Sequence, residues 1–265
     1  REDTIANANY WMGWGFFKLE NWNKAITHLE LARSLVPEFY EAPATTHLIL
    51  AAYSAQDATR LKVEVARFRK LSPEQNLPKK MLTWLGLQLF QNNDFAGADE
   101  YLTIASDYDE PSRTDLIIWR HLAKARLKIK HHDRALAAVE IVLTREDKDF
   151  WKADALLDKS HILLALGKPD EARTSAHEGL ALNPKGTVKA GLLMTLGTLA
   201  EQRADFDSAA ANFLNTAELF PDDEHFLEAL HRAANALEQA GRKDEAANIR
   251  AQLQREFPAW QAPKE

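Results

Sequence analysis

Proline recurs along this chain at an interval that indicates a repeating fold. Pro37 and Pro73 lie 36 residues apart, and Pro184, Pro221 and Pro258 lie 37 apart. The 111 residues between Pro73 and Pro184 correspond to three further intervals of 37. Because proline cannot continue a helix, we expect each of these prolines to close a helical stretch. The pattern predicts seven consecutive structural units, since repetition at such a period is the signature of repeat architectures.

Two columns of small residues keep the same interval. In the first, twelve residues before each proline position, six of the seven residues are alanine: Ala25, Leu61, Ala98, Ala135, Ala172, Ala209 and Ala246. In the second, twelve residues earlier, six of the seven are small: Gly13, Ile49, Gly86, Ala123, Ser160, Gly197 and Ala234. Small side chains let two antiparallel helices approach closely, because the side chains at the contact set the distance between the axes. Each unit is therefore predicted to be a helix-turn-helix pair.

The third and sixth units carry the residues that point to a family. The sixth has Leu196-Gly197, Ala209, Phe213 and Pro221, and the third has Leu85-Gly86 with Ala98. This arrangement resembles the tetratricopeptide repeat (TPR), whose consensus places Leu-Gly on the first helix and Ala, an aromatic residue and Pro on the second. The resemblance implies an all-α fold, a right-handed α-solenoid of seven helix-turn-helix, TPR-like repeats. The 37-residue period is similar to that of bacterial envelope TPR proteins, which favours a periplasmic or envelope-associated location over a cytoplasmic one.

The register divides the chain into predicted segments. We expect a single solenoid over residues 6–258, with short tails at 1–5 and 261–265. The predicted units are 6–41, 42–78, 79–115, 116–152, 153–189, 190–226 and 227–260. Asn21, Asp94 and Asp205, each followed by an aromatic residue, are expected to cap the second helices. Met12 is expected on the core face of the first helix, and Trp260 is expected to fold over the charged position Arg250 in the last helix.

Composition and spacing exclude several kinds of function. The net charge of −6 disfavours nucleic acid as the main partner, since phosphate binding needs a basic surface. The chain has no cysteine, which excludes disulfides and thiolate chemistry. No apolar run approaches the roughly 20 residues that span a bilayer. The adjacent residues His131 and His132 do not share a helical face, so we expect no metal, and no cofactor is indicated. No nucleophile with a base is apparent, which argues against an enzyme.

In TPR proteins the first helices line a concave groove, and the resemblance implies that ten residues of this chain lie there. The candidate partner-binding residues are Tyr10, Trp14, Phe17, Tyr53, Trp84, Phe90, Arg120, Lys124, Lys128 and His161. Aromatic side chains can dominate an interface because they bury a large area at low entropic cost. The alternative is that these rings fill the space between adjacent helices.

A basic row lies in the middle of the chain. Arg120, Lys124 and Lys128 recur every four residues and so share one helical face, where an acidic segment could bind. We favour the alternative that Asp154 and Asp158 lie opposite and neutralise the row. The Lys and Asn pattern with which some TPR proteins grip a terminal carboxylate is incomplete, because the asparagines are absent, and that activity is not inferred.

The leading functional hypothesis is a non-catalytic scaffold or adaptor that binds a protein or peptide in the groove. One alternative is a structural module that self-associates through the aromatic first helix. A second is the docking or regulatory part of a larger enzyme or envelope complex.

Overall fold

The computed structural model describes residues 1–262, and within that range the chain forms fourteen α-helices and no β-strand. The helices are α1 (Glu2–Lys18), α2 (Trp22–Leu35), α3 (Pro37–Ser54), α4 (Ala58–Leu71), α5 (Lys79–Gln91), α6 (Phe95–Ser106), α7 (Leu116–Lys128), α8 (His132–Arg145), α9 (Asp149–Ala165), α10 (Pro169–Ala181), α11 (Gly186–Glu201), α12 (Phe206–Leu219), α13 (Phe226–Gln239) and α14 (Lys243–Glu256). Each odd-numbered helix packs against the helix that follows it, which gives seven pairs. We call the first helix of a pair the A helix and the second the B helix. No helix in the described range has both the length and the apolar character needed to cross a membrane.

The pairs are grouped into two compact units, which divide between Glu110 and Pro111. The first unit contains α1–α6, and the second contains α7–α14. The division falls in the connection over residues 107–115, which is the longest between consecutive helices. Within each unit the pairs stack side by side, because each B helix also contacts the A helix that follows it. One continuous solenoid over residues 6–258 stays a prediction.

The two columns of small residues form the contact between the helices of each pair. All fourteen residues of the two columns are buried. A Cβ atom added to Gly13 would lie 2.7 Å from Leu29 Cγ, and one added to Gly86 would lie 2.6 Å from Leu102 Cγ. Non-bonded carbon atoms prefer about 3.5–4.0 Å, so glycine is what allows these helices to pack at this distance. The predicted close approach is confirmed.

The turn inside each pair has a repeated geometry. Asn21, Asp94 and Asp205 each accept a hydrogen bond from the backbone N–H three residues later, which confirms the predicted caps. The residue immediately before the cap position has a positive φ, between 56° and 81°, in all seven pairs: Glu20, Gln56, Asn93, Lys130, Gly167, Ala204 and Gly241. This left-handed conformation ends the A helix and turns the chain into the B helix. Only two of the seven residues are glycine, so composition alone did not reveal this column.

Pro37 opens a helix, and the prediction that it closes one is wrong. It is the first residue of α3, where its fixed φ suits the helix and its missing N–H would have had no partner. The second pair therefore begins at residue 37, and not at the predicted boundary of 42. Helices α9 and α11 likewise begin at Asp149 and Gly186, four residues before the predicted boundaries at 153 and 190.

The ends of the chain differ from the prediction in two respects. Helix α1 begins at Glu2, so most of the predicted tail at 1–5 is helical, and Glu2 and Asp3 favour a helix start because acidic groups stabilise its N-terminus. Met12 is 47% exposed and does not lie in the core. Helix α1 packs against α2 and α3, which leaves its remaining face uncovered among the described residues. Of the tail predicted at 261–265, residues 263–265 lie outside the described residues.

The predicted position of Trp260 agrees with the structure. Arg250 donates a hydrogen bond to Asn235 Oδ1 at 3.0 Å and pairs with Glu238 at 2.5 Å. The Trp260 ring lies 5.6 Å from the His231 ring, and both line a cavity of about 490 Å³ together with Arg250. The tryptophan thus lies over the last helix pair, beside the charged position.

Candidate functional site

The A helices of the first unit present a row of aromatic side chains. We call Tyr10, Trp14, His47, Leu50, Tyr53 and Trp84 the aromatic face; they come from α1, α3 and α5. Its aromatic members are all half-buried, and Leu50 is 37% exposed. The predicted residues Tyr10, Trp14, Tyr53 and Trp84 therefore share contacts between successive A helices.

Where α1 meets α3, His47 contacts two of the predicted aromatic rings, Tyr10 and Trp14. The Trp14 ring lies 4.4 Å from the His47 ring, and the Tyr10 hydroxyl lies 3.0 Å from His47 Nδ1, within hydrogen-bond distance. Tyr10 also contacts the Tyr40 ring at 5.2 Å. Burial lowers the pKa of His47, with Lys18 adding to the effect, so the ring is neutral at physiological pH.

At the α3–α5 junction, Tyr53 meets Trp84 edge to face, with ring centroids 5.4 Å apart. His47, Leu50 and Tyr53 follow one another at three-residue steps along α3. Each step of three residues turns by about 60° from the previous position, so the three side chains sweep across one side of the helix. Leu50 thus lies between the contacts with α1 and those with α5.

Phe17 and Phe90 occupy a different position from the other predicted rings. Phe17 stacks on Trp14 at 5.3 Å but also contacts Trp22 of α2 at 5.2 Å. Phe90 contacts Phe95 of α6 at 5.3 Å. Both are half-buried between the A and B helices of one pair, so the packing alternative describes these two rings better than the groove prediction.

One cation, Lys18, lies against the aromatic face, and no carboxylate lies on the same part of its helices. After their first five residues, none of α1, α3 and α5 contains Asp or Glu, although the chain as a whole has a net charge of −6. The Lys18 ammonium lies 4.4 Å from the centre of the Trp14 ring, a cation–π contact. Glu41, near the start of α3, pairs with Arg67 at 2.7 Å.

In the second unit, acidic side chains neutralise most of the predicted basic row. Arg120 pairs with the buried Glu146, and its guanidinium lies 4.5 Å from the Trp151 ring centre. Lys124 Nζ lies 3.0 and 3.1 Å from the two Asp154 carboxylate oxygens and 3.4 Å from Asp158. The expectation that Asp154 and Asp158 lie opposite the row is confirmed. Lys128, the remaining cation of the row, is exposed and forms no ion pair with any residue in 1–262.

His161 lies near the basic row and is held by Thr195. The Thr195 hydroxyl donates its hydrogen to Gly191 O at 2.8 Å, so His161 Nε2 must donate to Thr195 Oγ1, at 2.9 Å. The ring reaches solvent, but protein atoms surround its other sides. This desolvation, and then the charges of His225, Lys124 and Lys128, lower the pKa of His161 to about 4. His161 therefore presents Nδ1 as a hydrogen-bond acceptor.

Within residues 1–262, no group of three or more His, Asp or Glu side chains could hold a metal ion.

The carboxyl group of Asp158 is expected to make stability depend on pH. Burial raises its pKa to about 7, although Lys124 opposes the shift. Since the pKa in the unfolded chain is about 3.9, the protonated form stabilises the fold at low pH, and this contribution is lost as the pH rises toward 7. We expect the stability of Asp158→Asn relative to the wild type to increase by about 2–3 kcal/mol between pH 5 and pH 8. Urea unfolding at both pH values measures the difference in unfolding free energy between variant and wild type, with Asp170→Asn as an exposed control. An equal difference at the two pH values would contradict the prediction.

Sequence reasoning missed His47 and Leu50 as members of the aromatic face. The signal for His47 was present, because it lies 37 residues after Tyr10 and 37 before Trp84, in one column of the repeat. Leu50 carried no distinctive signal, because an isolated leucine on a helix is usually part of the core.

Comparisons with known proteins bear on the fold. No protein-family model and no curated protein sequence matches the chain. Among solved structures, the apo form of RapI matches with a TM-score of 0.60 at 11% identity, over 94% of this chain and 76% of that one. A thermophilic TPR protein from Thermus thermophilus matches with a TM-score of 0.51 at 20% identity, over 69% of this chain and 93% of that one. YrrB, a TPR protein with an unusual peptide-binding site, matches with a TM-score of 0.51 at 14% identity, over 72% and 93%.

These structural matches agree with the local features of the chain. Seven helix pairs are present among the described residues, and small residues lie at the contact within each pair. Helices of one pair pack against those of the next within each unit. The chain therefore has the all-α solenoid fold of the tetratricopeptide-repeat proteins.

Proposed function

We propose that this chain is a non-catalytic scaffold that binds a segment of a partner protein on the aromatic face of its first unit. The observation that carries the proposal is the row of half-exposed rings shared between successive A helices, with Leu50 exposed between them. Trp and Tyr are the residues most often found at the energetic centre of protein interfaces. A setting in the bacterial envelope stays a prediction from the repeat length.

The second unit supports a weaker contribution to binding. Arg120 and Lys124 are already engaged by Glu146, Asp154 and Asp158, so an acidic partner would have to displace these carboxylates. Lys128 and the acceptor nitrogen of His161 have no such competitor among the described residues. These two side chains are the ones that remain candidates for contact with a partner in this unit.

The test is a selection of peptides from a random display library on the immobilised chain. We expect the selected peptides to lose roughly a hundredfold in affinity for the double variant Trp14→Ala, Trp84→Ala, since each ring at the centre of an interface contributes on the order of 2 kcal/mol or less. Titration calorimetry measures the affinities, and circular dichroism verifies that the variant remains helical.

Trp11→Ala is the matched control. Trp11 is 61% exposed and lies on the same helix as Trp14; its ring contacts the Tyr10 ring at 5.5 Å, but it makes no ring contact with α3 or α5. Its variant should bind as the wild type does. Peptides that bind the double variant equally well would place the site elsewhere, and a selection that enriches no peptide would count against the scaffold function itself.

Self-association is a second candidate, favoured by the outer side of α1. On α1, Ile5, Trp11 and Met12 are 45%, 61% and 47% exposed, and Leu19, directly after the helix, is 76% exposed. So many exposed large apolar side chains close together are unusual. Light scattering over a concentration series distinguishes the two functions. A mass that rises with concentration and returns to that of the monomer in Trp11→Glu would support self-association, and a constant monomer mass would exclude it.

A further inference from the structure

We propose that the partner segment is proline-rich, that it binds the aromatic face in the polyproline II conformation, and that it carries an acidic residue beside Lys18. This inference rests on the proposed function and specifies the chemistry of its ligand. Three independent features of the face support it: its unpaired hydrogen-bond donors, the spacing of its ring contacts along α3, and its charge.

The first feature is a set of hydrogen-bond donors without partners. Trp14 Nε1, Trp84 Nε1 and the Tyr53 hydroxyl have no hydrogen-bond partner among residues 1–262, and none of these atoms is buried. An indole nitrogen can donate a hydrogen bond but cannot accept one. Water can satisfy these exposed donors in the free protein, but a ligand that covers them displaces the water and must offer acceptors in its place.

A polyproline II segment meets this requirement better than other backbone conformations. It has no internal hydrogen bonds, so its carbonyl groups remain available as acceptors, and proline has no N–H that would need an acceptor. An α-helix uses its carbonyl groups internally, so a helix bound here would cover the two indole nitrogens without satisfying them.

The second feature is the distance between the two sets of ring contacts along α3. His47, which contacts Trp14, and Tyr53, which contacts Trp84, are six residues apart on the helix. Six residues of α-helix rise by about 9 Å along the axis and place the two positions about 120° apart around it. Polyproline II has three residues per turn and rises about 3.1 Å per residue, so prolines three apart match this separation along the axis of α3. Two such prolines can contact the two sets of rings, with the intervening residues over Leu50.

The third feature is charge. Lys18 lies over the Trp14 ring and forms no ion pair among the described residues, and the A helices beside it carry no carboxylate after their first five residues. An acidic residue next to the first proline would meet this cation, whereas a basic one would be repelled. Charge also predicts weaker binding at high salt, because an exposed pair of this kind is screened.

The experiment uses the full chain and three synthetic peptides, with binding measured by titration calorimetry. The first peptide repeats the pattern Pro-x-x-Pro with glutamate at one end. In the second, alanine replaces every proline, which favours a helix, and in the third, lysine replaces glutamate. We expect the first peptide to bind and each of the others to bind roughly tenfold more weakly, because preorganisation or charge attraction is lost.

Trp14→Phe and Trp84→Phe test the donors directly, since phenylalanine keeps an aromatic ring and removes the N–H. Each variant should weaken the first peptide roughly fivefold, the usual effect of one hydrogen bond, and Trp11→Phe should not. Binding of the first peptide by both phenylalanine variants as tightly as by the wild type, or stronger binding of the alanine peptide, would overturn the inference.

The experiments also separate this inference from the proposed function. If display-selected peptides bind through Trp14 and Trp84 but the proline peptide does not, this inference fails and the proposed function stands. If no peptide binds, both fail.

Discussion

Replacing Arg33 by Met is expected to lower the free energy of unfolding of the first unit by about 3–5 kcal/mol. Arg33 of α2 makes two hydrogen bonds to the carboxylate of Glu64 in α4, at 2.6 and 3.0 Å, and a third to Thr45 of α3 at 3.1 Å. The side chains are only 11% and 3% exposed. Removing the cation leaves the buried carboxylate of Glu64 without its main partner, and an uncompensated buried charge is costly.

Two further variants distinguish this effect from the loss of an ordinary ion pair. Arg69→Met removes the pair between Arg69 and Glu100, whose side chains are 46% and 49% exposed, and should cost less than about 1 kcal/mol. Arg33→Met combined with Glu64→Leu should recover much of the lost stability, because no charge is then left buried. Urea unfolding followed by circular dichroism measures all three. Equal losses for Arg33→Met and Arg69→Met would show that burial of the pair does not matter.

Gly197→Ala is expected to destabilise the second unit by about 2 kcal/mol, although alanine normally favours a helix over glycine. The new Cβ atom would collide with the ring of Phe213, and a second ring atom would lie 2.7 Å away. Phe213 is fully buried between α11, α12 and α13, so its ring has little room to move. Relieving the overlap must therefore push α11 and α12 apart.

Gly15→Ala provides the control for this prediction. Gly15 lies in α1 with no atom within 4 Å of the position that a Cβ would take. Only the gain in helix propensity remains there, so this variant should be more stable than the wild type by about 0.5–1 kcal/mol. Thermal unfolding gives the sign of each change. A stabilised Gly197→Ala would mean that the helices of the sixth pair are not held together by this contact.

Periodicity in the sequence was sufficient to predict the helix pairs and their contacts. Gly197 and Ala209 have to be small because two helix backbones meet there. Their counterparts in the next helix pair lie 37 residues further along the chain. The caps at Asn21, Asp94 and Asp205 were predictable for a local reason, since the side chain bonds to a backbone N–H only three residues away. Interactions between residues close together in the chain can be predicted from local residue types, and repetition over seven helix pairs makes those residue types easier to recognise.

The sequence could not show whether Pro37 follows the helix before it or begins the helix after it. A proline between two helices can follow the first or begin the second, and both positions suit it equally well. The left-handed turn residues, such as Lys130 and Ala204, were also hidden, because neither residue type prefers a positive φ. The packing of the A helix on the B helix imposes that conformation.

The sequence by itself determined the helical repeat, the positions of closest helix contact and the change from aromatic A helices in the first half to charged A helices in the middle, because each depends on residue types at a fixed spacing. Only the tertiary structure decided which rings are shared between A helices and which fill a pair, as the contrast between Trp84 and Phe90 shows. It also decided that Lys124 is neutralised while Lys128 is not. These outcomes depend on which side chain of a neighbouring pair lies within a few ångströms, and a one-dimensional period does not specify that distance.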